Sequence, residues 1–159
     1  MSSGGAAEEM PPELVAYLAG GKLIVAATVD ADGAPYTMVM NSAMAVDPRT
    51  IRFCIDHRTH SLRNLRERPP IMFEVIADGA IYGVNGNARI IRETMEHAPV
   101  PSAMIEVAVE TVKADLPPGV EVDAPAFRWG ALTQYMSGIE PAMFEEMRTF
   151  VAEDAQARA

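Results

Sequence analysis

A basic segment within an acidic chain offers the first candidate for chemistry. The stretch IDHRTHSLRNLRERP, residues 55–69, contains four arginines and two histidines, whereas the whole chain of 159 residues has a formal net charge of −9 at pH 7. A general binder of nucleic acid needs many lysines and arginines spread over its surface. The local concentration of positive charge therefore indicates a site for a small anion.

The same segment contains the pattern of a helix start. Thr59 or Ser61 can cap a helix by accepting a hydrogen bond from one of its first amides. That end of a helix carries a partial positive charge, so Arg58 and His60 occupy positions that disfavour basic side chains. A bound anion would remove the conflict, since amides, hydroxyls, an imidazole and a guanidinium together bind phosphate well.

A structural interpretation of the segment stays open. Its arginines can be solvated on a surface helix, with Arg66 and Arg68 placed favourably near the carboxyl end. His57 and His60 can be structural histidines. Because the chain has just one further histidine, His97, and no cysteine cluster, the sequence predicts no metal site.

Common catalytic patterns do not occur in the sequence. It has no phosphate-binding Gly-Lys-Ser/Thr loop, dinucleotide fingerprint or Gly-x-Ser-x-Gly turn. The single cysteine, Cys54, lies in an alternating apolar run and is expected to be a buried small hydrophobe. A cofactor would therefore supply any redox chemistry. With neither a secretory signal nor an apolar run of membrane-spanning length, a cytoplasmic protein is expected.

The elements that must position the basic segment predict a mainly β domain. Asp-Gly and Asp-Pro turns divide residues 22–56 into a three-stranded antiparallel meander, and Asp78-Gly79 joins two further strands. Residues 103–116 alternate in polarity and are rich in β-branched side chains, which favours a sixth strand over a helix. Six strands around one core indicate a small, closed or partly open barrel.

Helices are predicted near both ends of the single domain at residues 11–159, after a disordered stretch at residues 1–10. A short helix follows Pro11-Pro12. The tail predicts an amphipathic helix at about residues 140–156, with a face formed by Met143, Phe144, Met147, Phe150 and Val151. Its Glu145-Glu146 pair is interpreted as solvated charge, and Gly83 and Gly86 indicate bulges or close backbone contacts.

Three stretches, VDADGAPYTMVMNSA, RTIRFCIDHRTHSLRNLRERP and GVNGNARII, occur in the order found in one known family. Their most specific features are Asp-Gly-x-Pro before a strand, the helix start from Thr59 to Leu65, and Gly86-Asn87-Ala88. Across residues 12–113 the chain resembles the pyridoxamine 5′-phosphate oxidase-like family of FMN-binding split β-barrels. The resemblance implies a six-stranded antiparallel split barrel of Greek-key type, a homodimer, and FMN in a groove between the protomers.

The resemblance also implies a set of cofactor-binding residues. The strand positions that would face the flavin are Met38, Val39, Met40, Asn41, Ser42, Cys54 and Ile55, and the phosphate positions are Thr59, His60 and Ser61. Three cationic ligands of pyridoxamine phosphate oxidases are absent, since Met38, His60 and Ser61 occupy their places. Arg58 and Arg63 are the candidates to replace them.

The functional hypothesis is an FMN-binding, flavin-dependent oxidoreductase of unknown substrate, without an assigned catalytic residue. The Trp and Arg-Leu signature of true pyridoxamine phosphate oxidases is missing, so that substrate is not predicted. The alternative is a non-enzymatic protein that binds flavin, haem or the deazaflavin coenzyme on the same barrel. For haem, His97 is the candidate axial ligand outside the basic turn, and the polyanionic tail of deazaflavin would need a longer basic groove.

Overall fold

Seven antiparallel strands and three helices make up the fold of residues 5–153, which are the residues described by the computed structural model. In chain order the elements are α1 (Pro12–Tyr17), β1 (Ile24–Val29), β2 (Pro35–Met40), β3 (Ala43–Asp47), β4 (Thr50–Asp56), α2 (His60–Glu67), β5 (Pro70–Ala77), β6 (Ala80–Arg92), β7 (Ser102–Ala114) and α3 (Met136–Thr149). The strands form one sheet in the order β2-β1-β5-β6-β7-β4-β3. The predicted mainly β fold with a C-terminal helix is confirmed.

A two-residue corner brings the two edges of the sheet together. Strands β2 and β3 lie at opposite ends of the strand order, yet only Asn41 and Ser42 separate them in the chain. The Ser42 hydroxyl donates to the carbonyl oxygen of Cys54 at 2.8 Å, which fastens the corner to β4. This is the geometry of a split barrel. The seventh strand arises because the predicted second strand breaks at this corner.

The predicted turns position the strands that carry the basic segment. Gly33 and Gly79 both adopt positive φ, at 82° and 70°, as their Asp-Gly turns require. The pairing of β6 with β7 shifts register between Asn85 and Gly86. A Cβ at position 86 would overlap the carbonyl oxygen of Ala108, so the close backbone contact predicted at this glycine is confirmed.

The main core fills the barrel interior. Strand β5 alternates between core and surface, and Phe73 on it packs edge-to-face on Phe53 of β4 with ring centroids 5.9 Å apart. Leu14 and Leu18, in and just after α1, are also completely buried in this core. Apolar burial of this kind is the dominant stabilising contribution to the fold.

A second apolar cluster lies beneath α3. Three side chains of the helix, Met143, Phe144 and Met147, pack there against three methionines of the barrel and its loops, Met44, Met95 and Met104. The helix begins at Met136, four residues before the predicted start, and ends at Thr149. Val151 is exposed, so its assignment to the apolar face was wrong. Residues 154–156 of the predicted helix lie outside the described residues.

The N-terminal residues that the structure describes are tied to the barrel. Ala7 pairs with Val112, and Met10 is buried with its amide bonded to the carbonyl oxygen of Pro48. Residues 1–4 of the stretch predicted to be disordered lie outside the described residues. Among the helices at residues 5–153, none has the length and apolar character needed to cross a membrane.

Candidate functional site

The start of α2 is the candidate anion site, and its residues differ in exposure, since His60 is half-buried and Ser61 is almost fully buried. Of the two predicted caps, Thr59 and Ser61, Thr59 caps the helix. Its hydroxyl accepts from the Leu62 amide at 3.3 Å and donates to the Asp56 carbonyl oxygen at 2.9 Å. The amides of His60 and Ser61 make no hydrogen bond with any other described residue. Two free amides at the positive end of a helix form the core of an anion site.

His60 and Arg63 flank these amides. The His60 ring stacks on Tyr36 of β2, with centroids 4.5 Å apart and planes 18° apart. A guanidinium nitrogen of Arg63 donates to His60 Nδ1 at 3.0 Å. No carboxylate within residues 5–153 contacts Arg63, and its side chain is exposed. The positive charge of Arg63 is therefore available to a ligand.

Arg58 is engaged differently, because its guanidinium forms an ion pair with Asp56 at 2.6 Å. The Arg58 amide also donates to the Asp56 carboxylate, at 2.8 Å. Hydrogen bonds from the Arg58 side chain and amide hold the pKa of Asp56 at about 2. The carboxylate is thus charged at neutral pH, and it offsets the charge that Arg58 would offer to an anion.

A cleft of about 240 Å³ lies between α2 and the β1–β2 turn. His60 and Arg63 line this cleft. The other lining residues are Asp30, Ala31, Asp32, Asn64, Glu67 and Arg68. Glu67 and Arg68 pair with each other at 2.8 Å. The aspartates on the turn side make the cleft mixed in charge, so the groups that suit an anion are those of the helix start and Arg63.

The candidate positions on β2 point to two sides of the sheet. Met38 and Met40 are half-buried and pack against the main core. Val39, between them, faces outwards with 63% of its surface exposed. Strand alternation requires this division. Of these three side chains, Val39 is the one that presents a free apolar surface to a ligand.

The corner residues meet α3. Asn41 donates its side-chain amide to a carboxylate oxygen of Glu140 at 2.9 Å, and Ser42 bonds to β4 as described above. Helix α3 therefore covers one end of the strand that was predicted to face a flavin. Glu140 was missed in the sequence because nothing local relates it to a residue 99 positions earlier.

The remaining candidate positions, Cys54, Ile55 and Ser61, are partly or fully buried. The Ile55 side chain belongs to the main core, and Ser61 is also buried. Cys54 packs against the cluster under α3, where burial raises the pKa of its thiol. The expected packing role of Cys54 fits this position. Tyr36 and Asp56 were missed as neighbours of the helix start, although Asp56 stands only two residues before Arg58 in the sequence.

Helix α3 is anchored by a buried arginine. Arg52 donates to the carbonyl oxygens of Met147 and Phe150, both at 2.7 Å, which satisfies acceptors left free at the end of the helix. Its other nitrogens bond to Glu106 at 2.7 and 2.9 Å. Arg89 contacts the second oxygen of Glu106 at 2.6 Å.

A buried carboxylate provides the second anchor. Glu146, interpreted from the sequence as solvated, is buried and accepts from the amides of Glu96 and His97 at 2.9 and 2.8 Å. Burial raises the pKa of Glu146, but the two amide hydrogen bonds, the bond with the His97 side chain and the charge of Arg92 together outweigh burial and lower it. His97 Nδ1 lies 3.1 Å from the same carboxylate, so this imidazole is already engaged.

Comparison with known proteins decides the family. The sequence profile described as pyridoxamine 5′-phosphate oxidase matches residues 10–128. The chain belongs to this family. The matched residues include the whole barrel and α2, whereas α3 follows the matched part of the chain. A search of curated proteins finds no match.

Solved structures share the fold of this family member at low sequence identity. A candidate pyridoxamine 5′-phosphate oxidase from Lactobacillus delbrueckii is 20% identical, with a TM-score of 0.57, over 67% of this chain and 94% of its own. An F420 reductase is 18% identical, with a TM-score of 0.56, over 65% and 98%. An FMN-binding protein from Syntrophomonas wolfei is 12% identical, with a TM-score of 0.54, over 66% and 83%.

Proposed function

We propose that this protein binds FMN and is a flavin-dependent oxidoreductase whose substrate is unidentified. The observation that carries the proposal is the pair of amides at His60 and Ser61 that have no partner within residues 5–153. One helical turn along lies the guanidinium of Arg63, which bonds to His60 and has no ion pair in that part of the chain. These groups suit a phosphate dianion, which needs several donors and positive charge on one side. Membership of the pyridoxamine 5′-phosphate oxidase family supports FMN as the bearer of that phosphate.

Within the phosphate site, Arg63 contributes more than Arg58. Arg58 is held by the Asp56 carboxylate, so it can approach a phosphate only by weakening an existing ion pair. Arg63 loses just its contact with His60. The Thr59 hydroxyl fixes the helix start, and this keeps the two amides directed at the ligand.

For the isoalloxazine ring, we place the proposed contact on the outer side of β2. Val39 supplies the apolar surface, and Asn41 and Ser42 supply the polar edge at the corner. Ile55 can contribute only main-chain atoms, because its side chain is buried in the main core, and the partly buried Cys54 side chain packs against the cluster under α3. FMN, when bound, supplies the electron transfer; the chain binds and orients it, and α3 excludes water at the corner.

The proposal includes a homodimer with the cofactor at the subunit interface. The outer face of the sheet carries exposed apolar side chains on three adjacent strands, at Val25, Val39 and Met72. Surfaces of this kind mark protein contacts or ligand grooves. A cytoplasmic location is also proposed, since the one cysteine, Cys54, can form no internal disulfide.

Two single variants test the phosphate site. Arg63→Ala should raise the Kd for FMN at least about tenfold, because a hydrogen bond to a charged group is worth about 1.5–3 kcal/mol. Arg58→Ala is the matched control and should change the Kd less than about threefold, since Asp56 already uses that guanidinium. Titration into the apoprotein, followed by quenching of flavin fluorescence, measures both.

The absorption spectrum of the freshly purified protein tests the cofactor class. Flavin bands are expected. A Soret band or a deazaflavin spectrum would overturn the choice of FMN in favour of another coenzyme on the same barrel. A colourless protein whose melting temperature does not rise with added FMN would overturn cofactor binding altogether, because a ligand that binds the folded state must stabilise it.

A further inference from the structure

An exposed apolar segment precedes α3. We call residues 124–135 the arm. Leu132 and Tyr135 are 92% and 61% exposed, and Phe127 is also exposed. The backbone between them forms turns, with Thr133 bonded to Gly130 at 3.0 Å. Burial of a large apolar side chain contributes about 1.5–3 kcal/mol, so an ordered arm that leaves several in water indicates a contact surface.

A groove of about 350 Å³ lies on the outer face of the sheet. We call it the outer groove. Its walls are mainly apolar, with a polar side formed by asparagines and one carboxylate. The residues that matter here are Ala27, Val29, Pro35, Met72, Asn87 and Glu110. These apolar walls can contact the exposed apolar side chains of the arm, Phe127, Leu132 and Tyr135.

The charges of the two surfaces are complementary. Arg128 is the single charged residue of the arm, and it has no ion pair or hydrogen-bond partner within residues 5–153. Glu110 is the single charged residue that lines the outer groove. Its carboxylate is met only by the neutral side-chain amide of Asn87 among the described residues. Each surface therefore presents one uncompensated charge, and the signs are opposite.

The arm is fastened away from the outer groove of its own chain. At its beginning, the Ala124 amide bonds to Asp78 at 2.7 Å, in the turn after β5, whereas the groove lies at the Pro70 end of that strand. The groove residues Pro70 to Met72 lie six to eight positions before Asp78, which corresponds to about 20–26 Å along the strand. Just beyond the arm, Glu140 bonds to Asn41 after the end of β2, while the groove touches Pro35 at its start.

We propose that the arm of one copy docks in the outer groove of a second copy, with Arg128 paired to the partner subunit's Glu110. Two-fold symmetry makes the contact twice, since each chain carries one arm and one outer groove. The inference rests on the homodimer of the proposed function and adds the surfaces that form it. It does not depend on which cofactor the protein binds.

Charge reversal in separate chains tests the contact. Arg128→Glu and Glu110→Arg should each raise the dimer dissociation constant at least about tenfold, because each brings like charges together twice per dimer. An equimolar mixture of the two variants should recover a dissociation constant within about threefold of the wild type. In that mixed dimer both pairs have opposite charges, although neither chain can form the pair alone.

Sedimentation equilibrium without FMN measures these constants, and the chain's one tryptophan, Trp129 within the arm, reports its burial by emission wavelength. Val151→Asp is the control, since it adds a charge at an apolar residue that lies outside the arm and is about as exposed as Leu132. It should leave association unchanged.

The outcomes separate this inference from the proposed function. A wild-type dimer that both charge reversals leave intact would overturn the arm contact and retain the dimer. Variants that weaken association without recovery on mixing would also overturn it, because a contact between chains must be restored in trans. A wild-type protein that is monomeric with and without FMN would overturn the homodimer too. Flavin affinity, measured separately by titration, decides the cofactor claim.

Discussion

Arg52 and Arg63 come from the same arginine-rich part of the chain and have opposite environments. Arg52 is buried and donates to a carboxylate and to two carbonyl oxygens at the end of α3. Arg63 is exposed, and its one hydrogen-bond partner among the described residues is Nδ1 of His60. Six of the eleven arginines lie between Arg49 and Arg68, but this density alone does not identify ligand contacts. The existing partners of each guanidinium decide whether it is free to bind an anion.

Loss of Arg52, the buried arginine of this comparison, should have the largest effect on the free energy of unfolding. Arg52→Ala leaves Glu106 with a single exposed partner and removes two donors from the end of α3. Breaking a buried ion pair on one side costs about 3–5 kcal/mol of the free energy of unfolding. Urea denaturation measures the loss.

Arg89→Ala provides the control for this comparison. Arg89 bonds to the same Glu106 carboxylate, but its side chain is about half exposed, and exposed pairs contribute about 0–1 kcal/mol. Equal destabilisation by Arg52→Ala and Arg89→Ala would contradict the role given to burial.

The helix start should show an intermediate effect. Thr59→Ala removes the acceptor of the Leu62 amide and should lower the free energy of unfolding by about 1 kcal/mol. Thr59→Ser keeps the oxygen and should restore most of that stability. If alanine and serine destabilise equally, the hydroxyl does not act as the cap. Thermal or urea unfolding distinguishes the two results.

A smaller effect is expected at Asp56 and depends on pH. Its pKa is lowered in the folded state from 3.8 to about 2 by Arg58, so folding favours the charged carboxylate. The stabilisation is present above about pH 4 and is lost as the pH falls towards 2. The stability difference between wild type and Asp56→Asn, measured by urea denaturation, should shrink over this window. A constant difference from pH 5 to pH 2 would show that the ion pair is not responsible.

Much of the barrel could be predicted because its signals are local. Asp-Gly pairs impose positive φ at Gly33 and Gly79, and alternation along residues 103–114 identifies a strand. A cap at Thr59 or Ser61 was predicted for the same reason, since capping involves residues three apart, and Thr59 is the one that bonds to the Leu62 amide. Each of these features is decided within a few residues of the chain.

The parts that depend on distant partners could not be predicted. Glu146 was interpreted as solvated because its helix neighbours are polar, and only folding brings the amides of Glu96 and His97 to it. The bond of Asn41 to Glu140 joins residues 99 positions apart. The interruption between β2 and β3 at Asn41-Ser42 also depends on a distant partner, because the Ser42 hydroxyl bonds to Cys54 of β4 where the sheet closes.

The central claim is that the start of α2, with Arg63, binds the phosphate of a flavin. Comparison of FMN with riboflavin, which lacks the phosphate, tests this claim most directly. The wild-type protein should bind FMN at least about tenfold more tightly than riboflavin, and Arg63→Ala should reduce that preference severalfold while leaving riboflavin affinity unchanged. Equal affinity of the wild type for the two flavins would contradict the account.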